Sequence, residues 1–102
     1  MERTIKFTVS ARRWFDKANG NTYHSVKVIR EKDGAVLLAP MQYGYDEHYR
    51  QTAHEIMLKA GWLPKNYNEK NYWRYERENN YPIDWNVEDG TKRTCVALGL
   101  GK

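Results

Sequence analysis

The dipeptide Asn19-Gly20 constrains this chain more than any other pair of residues in it. Asn and Gly best tolerate the positive φ angles of a reversing turn, and Asp16 and Asn21 can cap backbone amides beside them. Residues 16–21 therefore predict a hairpin connection, and the segments on either side must pair antiparallel. Arg12, Arg13, Trp14 and Phe15 then lie across from Thr22, Tyr23, His24 and Ser25. Alternation along each strand sends half of these side chains to one face and half to the other. A loop of this length leaves the register open, and with it which half meets water.

The rest of the chain extends the pattern. Over residues 4–10, Ile5, Phe7 and Val9 alternate with Lys6, Thr8 and Ser10, as in a half-buried strand. Residues 22–30 give a second strand, with Val26 and Val28 on one face and Ile29 on the other. Lys32-Asp33-Gly34 turns the chain into a third, Ala35 to Ala39, which Pro40 either ends or sets at a sheet edge. Asp46 then serves as an N-cap for a helix whose Tyr49, Ala53, Ile56, Met57 and Ala60 recur at helical spacing up to a stop at Gly61. Trp62, Leu63 and Pro64 look like a hydrophobic clamp after it. Asn68 is placed to cap a ring-rich second helix reaching Asn79. Ile83, Trp85 and Val87 alternate with Asp84, Asn86 and Glu88 as a fourth strand, and Asp89-Gly90 turns into a fifth over Thr94 to Leu98. The expectation is a single α+β domain over residues 1–102, an antiparallel five-stranded sheet in the order βββ-α(α)-ββ with its helices packed on one face. The same order of elements also describes an OB-like barrel.

Charge is unevenly distributed. The net charge is +4, and all of it falls in residues 1–31, where seven cations meet three carboxylates. Such a third points to a polyanionic or acidic partner, although a basic excess also serves solubility alone. Eight Tyr and four Trp against two Phe favour rings with a polar tip, which suit a binding surface as well as a core. The lone Cys95 rules out an intrachain disulfide and a multi-cysteine metal site, and makes a reducing cytoplasm the expected home. No apolar leader and no membrane-length apolar run is present, so no membrane partner is expected.

Metal and catalytic chemistry find little support. His48 and His54 are six residues apart on the expected helix, on opposite sides, so the spacing of a zinc-binding pair is missing; they read as two exposed helix histidines, and neither metal nor cofactor is expected. His24 with Asp16, Thr22, Ser25 or a Tyr offers the parts of a general-base nuclease, yet no phosphate cradle, nucleophile elbow or ligand run accompanies them. Nucleic-acid binding is better supplied, because single strands are held by rings that stack on bases and by cations on phosphates. The candidate binding residues are Arg12, Arg13, Trp14, Lys17, Tyr23, His24 and Lys27, joined by Tyr43 and Tyr45 if that segment folds back beside the hairpin. Some of these rings must point inward, and Trp14 or Phe15 would serve equally well as core. Protein binding through the ring-rich residues 67–85 is the competing class.

The stretch RWFDKANGNTYHSV at 13–26, followed by Met41-Gln42-Tyr43-Gly44-Tyr45 and Gln51-Thr52-Ala53, resembles a group of small proteins encoded by tailed phages and prophages and without an assigned function. The resemblance covers roughly the first 60 residues. It implies a setting, a small accessory protein in the cytoplasm of an infected bacterium, and carries over no catalytic or binding residue. Together these features suggest a non-enzymatic accessory protein that binds nucleic acid or a nucleotide-like ligand through its basic-aromatic hairpin. A phage inhibitor that binds a host defence protein or complex comes second, and a His-dependent nuclease third.

Overall fold

The computed structural model describes residues 4–67 and 72–101. Strands β1 (Phe7–Asp16) and β2 (Asn21–Arg30) form the expected hairpin, in a register that sets Trp14 opposite Tyr23 and Arg13 opposite His24. Asp16 closes the loop by accepting hydrogen bonds from the Ala18 amide at 3.1 Å and the Asn19 side chain at 2.8 Å. Gly20 takes the left-handed φ of +68° that the turn requires. Strand β3 (Ala35–Tyr43) pairs antiparallel with β2 and continues past Pro40 to Tyr43. Pro40 is tolerated because β3 is an edge strand.

Beyond β3 the architecture departs from the expectation. The chain continues as α1 (His48–Lys59), α2 (Tyr72–Glu78), β4 (Ile83–Asp89) and α3 (Lys92–Gly99). The sheet is four-stranded and mixed, in the order β3-β2-β1-β4, with β4 parallel to β1, and is not an antiparallel five-stranded sheet. The reason lies in the connection. A helical crossover carries the chain back past the sheet, so that the next strand starts in the direction of the last and pairs in parallel. Because β1 and β3 already run the same way, β4 joins beside β1 at the far edge. The sheet stays open between β3 and β4, which also excludes the OB-like barrel.

The expected fifth strand is the helix α3. Thr91 accepts the Thr94 amide at 3.2 Å on its hydroxyl, while the Thr94 hydroxyl accepts the Thr91 amide at 3.1 Å, a reciprocal cap that starts a helix where Asp89-Gly90 suggested a hairpin. A short apolar run such as Cys95–Leu98 has no period of its own to decide between the two. The N-cap of α1 also differs. Asp46 has a φ of +57°, and Glu47 occupies the cap without a side-chain bond. Gly61 ends that helix region at φ +75° as expected. Asn68 lies outside the described residues.

Nor do the helices share one face. Phe7, Val9, Ala11, Val26, Val28 and Ile83 point from the sheet toward α1 and α2 and form the core with Tyr49, Ala53, Met57 and Tyr75. Trp62 lies flat over Phe7, ring centres 6.0 Å apart, with the Arg30 guanidinium 4.4 Å from its centre, and so clamps the end of α1 onto the sheet. On the opposite face, the Ser25 hydroxyl donates to the Cys95 carbonyl and the Cys95 Sγ lies 3.5 Å from the Arg12 carbonyl oxygen, which seats α3 across β1 and β2. At its far end α3 reaches β3. A Cβ on Gly99 would come within 2.7 Å of the Pro40 Cα, so only glycine permits this approach. Among the described residues no helix is long and apolar enough to cross a membrane.

Candidate functional site

The alternation of β1 and β2 divides the hairpin candidates between two environments. Arg12, Trp14, Tyr23 and Lys27 stand on the α3 face, whereas Arg13 and His24 stand on the α1 face. Lys17, in the turn, lines a recess with Arg13 and Phe15.

On the α3 face the rings form a row across three strands. Trp14 stacks on Tyr23 at 5.4 Å with 23° between the planes, and Tyr23 meets Tyr43 edge to face at 6.0 Å. Tyr43 is 58% exposed and is the most open ring of the three; Trp14 and Tyr23 are half-buried. The irregular pairing between His24 and Val26 on β2 lets β3 return so that Tyr43 falls opposite Tyr23. The Tyr43 segment thus does fold back beside the hairpin. Tyr45 stays in the connection to α1, exposed and outside the row.

Cations flank the rings from an element that the sequence reading missed. The N-terminal turn of α3 begins beside Trp14 and sets the Lys92 ammonium 5.8 Å from its ring centre, with Arg93 next in sequence and exposed. The signal for this was Thr91-Lys-Arg-Thr94, a capping pattern ahead of an apolar run. Arg12 contributes less freely, since Glu88 on β4 lies 3.3 Å from it. That pair is half-exposed, a kind worth about 0–1 kcal/mol, so a phosphate can compete for the guanidinium. Lys27 shares the face but lies across α3 from the rings, because α3 crosses at the level of Ser25, between Tyr23 and Lys27.

The other face of the hairpin end is a different kind of surface. An open recess of about 430 Å³ is lined by Arg13, Phe15, Lys17, Thr22, Asp46 and Asp89. Arg13 is already engaged there, donating to the Asp89 carboxylate at 2.9 Å and to the Asp46 carbonyl at 3.1 Å. With two carboxylates among its walls, the recess is less suited to a polyanion than the ring row.

His24 is fully buried, away from any surface a base can reach. Its Nδ1 lies 3.1 Å from the Gly44 carbonyl oxygen, which can only accept, so Nδ1 carries the proton and Nε2 accepts from the Thr52 hydroxyl at 2.7 Å. Burial pushes its pKa down, against the Gly44 hydrogen bond and with help from nearby His48. Of the groups considered as its partners, Asp16 is used in the turn, Ser25 is on the opposite face, and Thr22 lines the recess while both ring nitrogens of His24 are taken by Gly44 and Thr52. Gly44 is required by contact, because a Cβ there would lie 2.6 Å from the His24 Cε1 and 2.8 Å from the His48 Cγ.

His54 is buried as well, which the reading of two exposed helix histidines did not anticipate. Its Nε2 lies 3.4 Å from Glu76 Oε2, and Trp85 donates its indole N–H to Glu76 Oε1 at 2.7 Å. Burial alone would raise the Glu76 pKa, but the bonds from His54 and Trp85, with the charge of Arg50, hold it below the usual carboxylate range. Burial raises the Cys95 thiol, so it stays protonated and unreactive. Among the described residues no three His, Cys, Asp or Glu side chains converge as a metal site would need.

No family model, curated protein or solved structure matches this chain.

Proposed function

We propose that this protein is a non-enzymatic binder of single-stranded nucleic acid, and that the ring row Trp14–Tyr23–Tyr43 with Lys92, Arg93 and Arg12 is its contact surface. The observation that carries it is the row itself, three rings on one sheet face, each in contact with the next, with an ammonium beside the first. A sheet face that offers rings for bases and flanking cations for phosphates is the recurring solution for single strands, with each stacked base worth about 1–3 kcal/mol. His24 is left out because it is buried, and Lys17 and Arg13 because they belong to the recess on the other face. The phage-like stretch over residues 13–26 supplies a setting for such an accessory protein and no ligand.

A second reading has one observation in its favour. Trp73 and Tyr81 are large and exposed around α2, and Arg77 covers Trp73 at 5.1 Å, a combination typical of protein-interface anchors. Inhibition of a host defence protein would use that side.

Fluorescence anisotropy of labelled single-stranded DNA, single-stranded RNA and duplex, titrated with the protein at low and physiological salt, separates the two. Nucleic-acid binding predicts preference for a single strand and a steep loss of affinity as salt rises. Absence of binding at low salt refutes it and moves attention to α2.

A further inference from the structure

Tyr43 is the outermost ring of the row, on edge strand β3, and what fastens it there lies on the other face of the sheet. The next residue, Gly44, is buried and tied twice to β2. Its N–H donates to the Thr22 carbonyl at 3.0 Å, and its carbonyl accepts from His24 Nδ1 at 3.1 Å. His24 follows Tyr23 in the chain as Gly44 follows Tyr43, so this bond sits across the sheet from the Tyr23–Tyr43 contact. A titratable ring thus holds the end of β3. The His48 ring of α1 lies 5.2 Å from it, centre to centre, and Gly44 is wedged against both.

We propose that protonation of His24 opens the connection from Gly44 to His48 and carries Tyr43 out of the ring row, so that acid regulates the contact surface from behind. The consequence for binding rests on the nucleic-acid reading above; the opening itself does not. A proton on Nε2 leaves the hydrogen bonds intact, because the Thr52 hydroxyl can turn to accept. What the closed state cannot supply is a partner for the charge. Facing His24 from α1 is His48, whose charge opposes its own. Across from it on β1 stands Arg13, held by Asp89 at 2.9 Å, and on β3 the neutral Gln42. Asp46 and Glu47 of the connection are exposed. The charged ring therefore needs water, and the piece that covers it most loosely is the connection. Residues 44–47 belong to neither β3 nor α1, whereas α1 is anchored by the fully buried Ala53 and Met57. Closed, the ring is held below its ordinary pKa; open, it regains the value of about 6.5. Opening is thus favoured as pH falls below about 6.5, by up to about tenfold per pH unit for one proton.

Amide exchange of the free protein, followed by NMR from about pH 7.5 to about 5 and corrected for the intrinsic rate, reads the opening. The Gly44 amide is expected to be less protected than those of Val9 and Val28, and to lose up to about tenfold in protection per pH unit below about 6.5. His24→Asn, whose amide can still donate to Gly44 but does not titrate, is expected to lose that dependence. Should it not fold, His48→Gln, at an exposed position, is expected to make the loss shallower. Gly44 protection that equals that of Val9 and Val28, that stays flat with pH, or that falls as steeply in the folded variant overturns the proposal. The second arm titrates a short single-stranded oligonucleotide over the same range into wild type and Tyr43→Ala. Wild type should weaken in acid toward the Tyr43→Ala affinity, and Tyr43→Ala should weaken no further. A surface that merely gained histidine charge would bind more tightly, so wild-type affinity that holds or rises in acid also overturns the proposal. No binding even near pH 7.5 refutes the function proposed above instead, and the exchange arm then decides the opening alone.

Discussion

Replacing Glu76 by Gln tests how the two helices on the α1 face are held to the sheet. Glu76 is buried on α2, receives the indole N–H of Trp85 from β4 at 2.7 Å, and faces His54 of α1 at 3.4 Å. One carboxylate therefore ties three elements together. Gln keeps a single acceptor oxygen and presents an amide N–H₂ on the other side, so it cannot accept from both partners. A hydrogen bond to a charged group contributes about 1.5–3 kcal/mol, and losing one should cost about 2 kcal/mol. For a domain of this size that is a fall in Tm of about 8–16 °C. Thermal unfolding followed by circular dichroism near neutral pH measures it. The sign of the pH dependence adds a second check. A carboxyl held below its ordinary pKa contributes stability above the unfolded value of about 4.3 that is lost as pH falls toward the lower folded value. The gap between wild type and Glu76→Gln should therefore narrow at about pH 3. A variant that melts within about 2 °C of wild type near neutral pH, or a gap unchanged in acid, refutes the role given to Glu76.

Three further outcomes are expected. Acid should weaken the wild type in an earlier step as well, because the depressed pKa of His24 keeps full stability only above the unfolded value of about 6.5 and loses it as pH falls below that; a denaturation midpoint flat from about pH 7 to 5 would contradict this. Gly44→Ala should lower stability by about 1–3 kcal/mol, since the added methyl collides with the His24 and His48 rings, and chemical denaturation would show it. Thr91→Ala should cost about 1 kcal/mol by removing the α3 cap, and amide exchange should accelerate first in residues 92–99.

The hairpin was legible because its determinants are local. Asn19-Gly20 and Asp16 act within a few residues of one another, and once they set the loop the two flanks must pair antiparallel; the register that puts Trp14 opposite Tyr23 was not legible, because several registers suit a loop of this length. Equally local is the alternation of Ile83, Trp85 and Val87, which marks a strand wherever it packs. The direction and neighbour of that strand are not local properties. They depend on how far the helical crossover carries the chain, which no residue of β4 encodes. Residues 92–99 failed for another reason, as four apolar residues after a Gly suit a strand or a helix, and the Thr91–Thr94 cap is the only local arbiter. Because Lys92 and Arg93 ride on that helix, the cations of the ring row were hidden with it. His24 and His54 were misjudged because burial of a histidine depends on distant partners, Thr52 for one and Glu76 and Trp85 for the other.

The most direct test of the proposed function compares two variants in one assay. Trp14→Ala/Tyr23→Ala removes two rings of the row, and Trp73→Ala removes an exposed ring on α2, with short single-stranded oligonucleotides titrated at low salt and circular dichroism confirming the fold. The ring row predicts a loss of affinity of about tenfold or more for the first, from stacking worth about 1–3 kcal/mol per base, and no change for the second. Equal affinity for wild type and the Trp14/Tyr23 variant, or a loss seen only with Trp73→Ala, would contradict it.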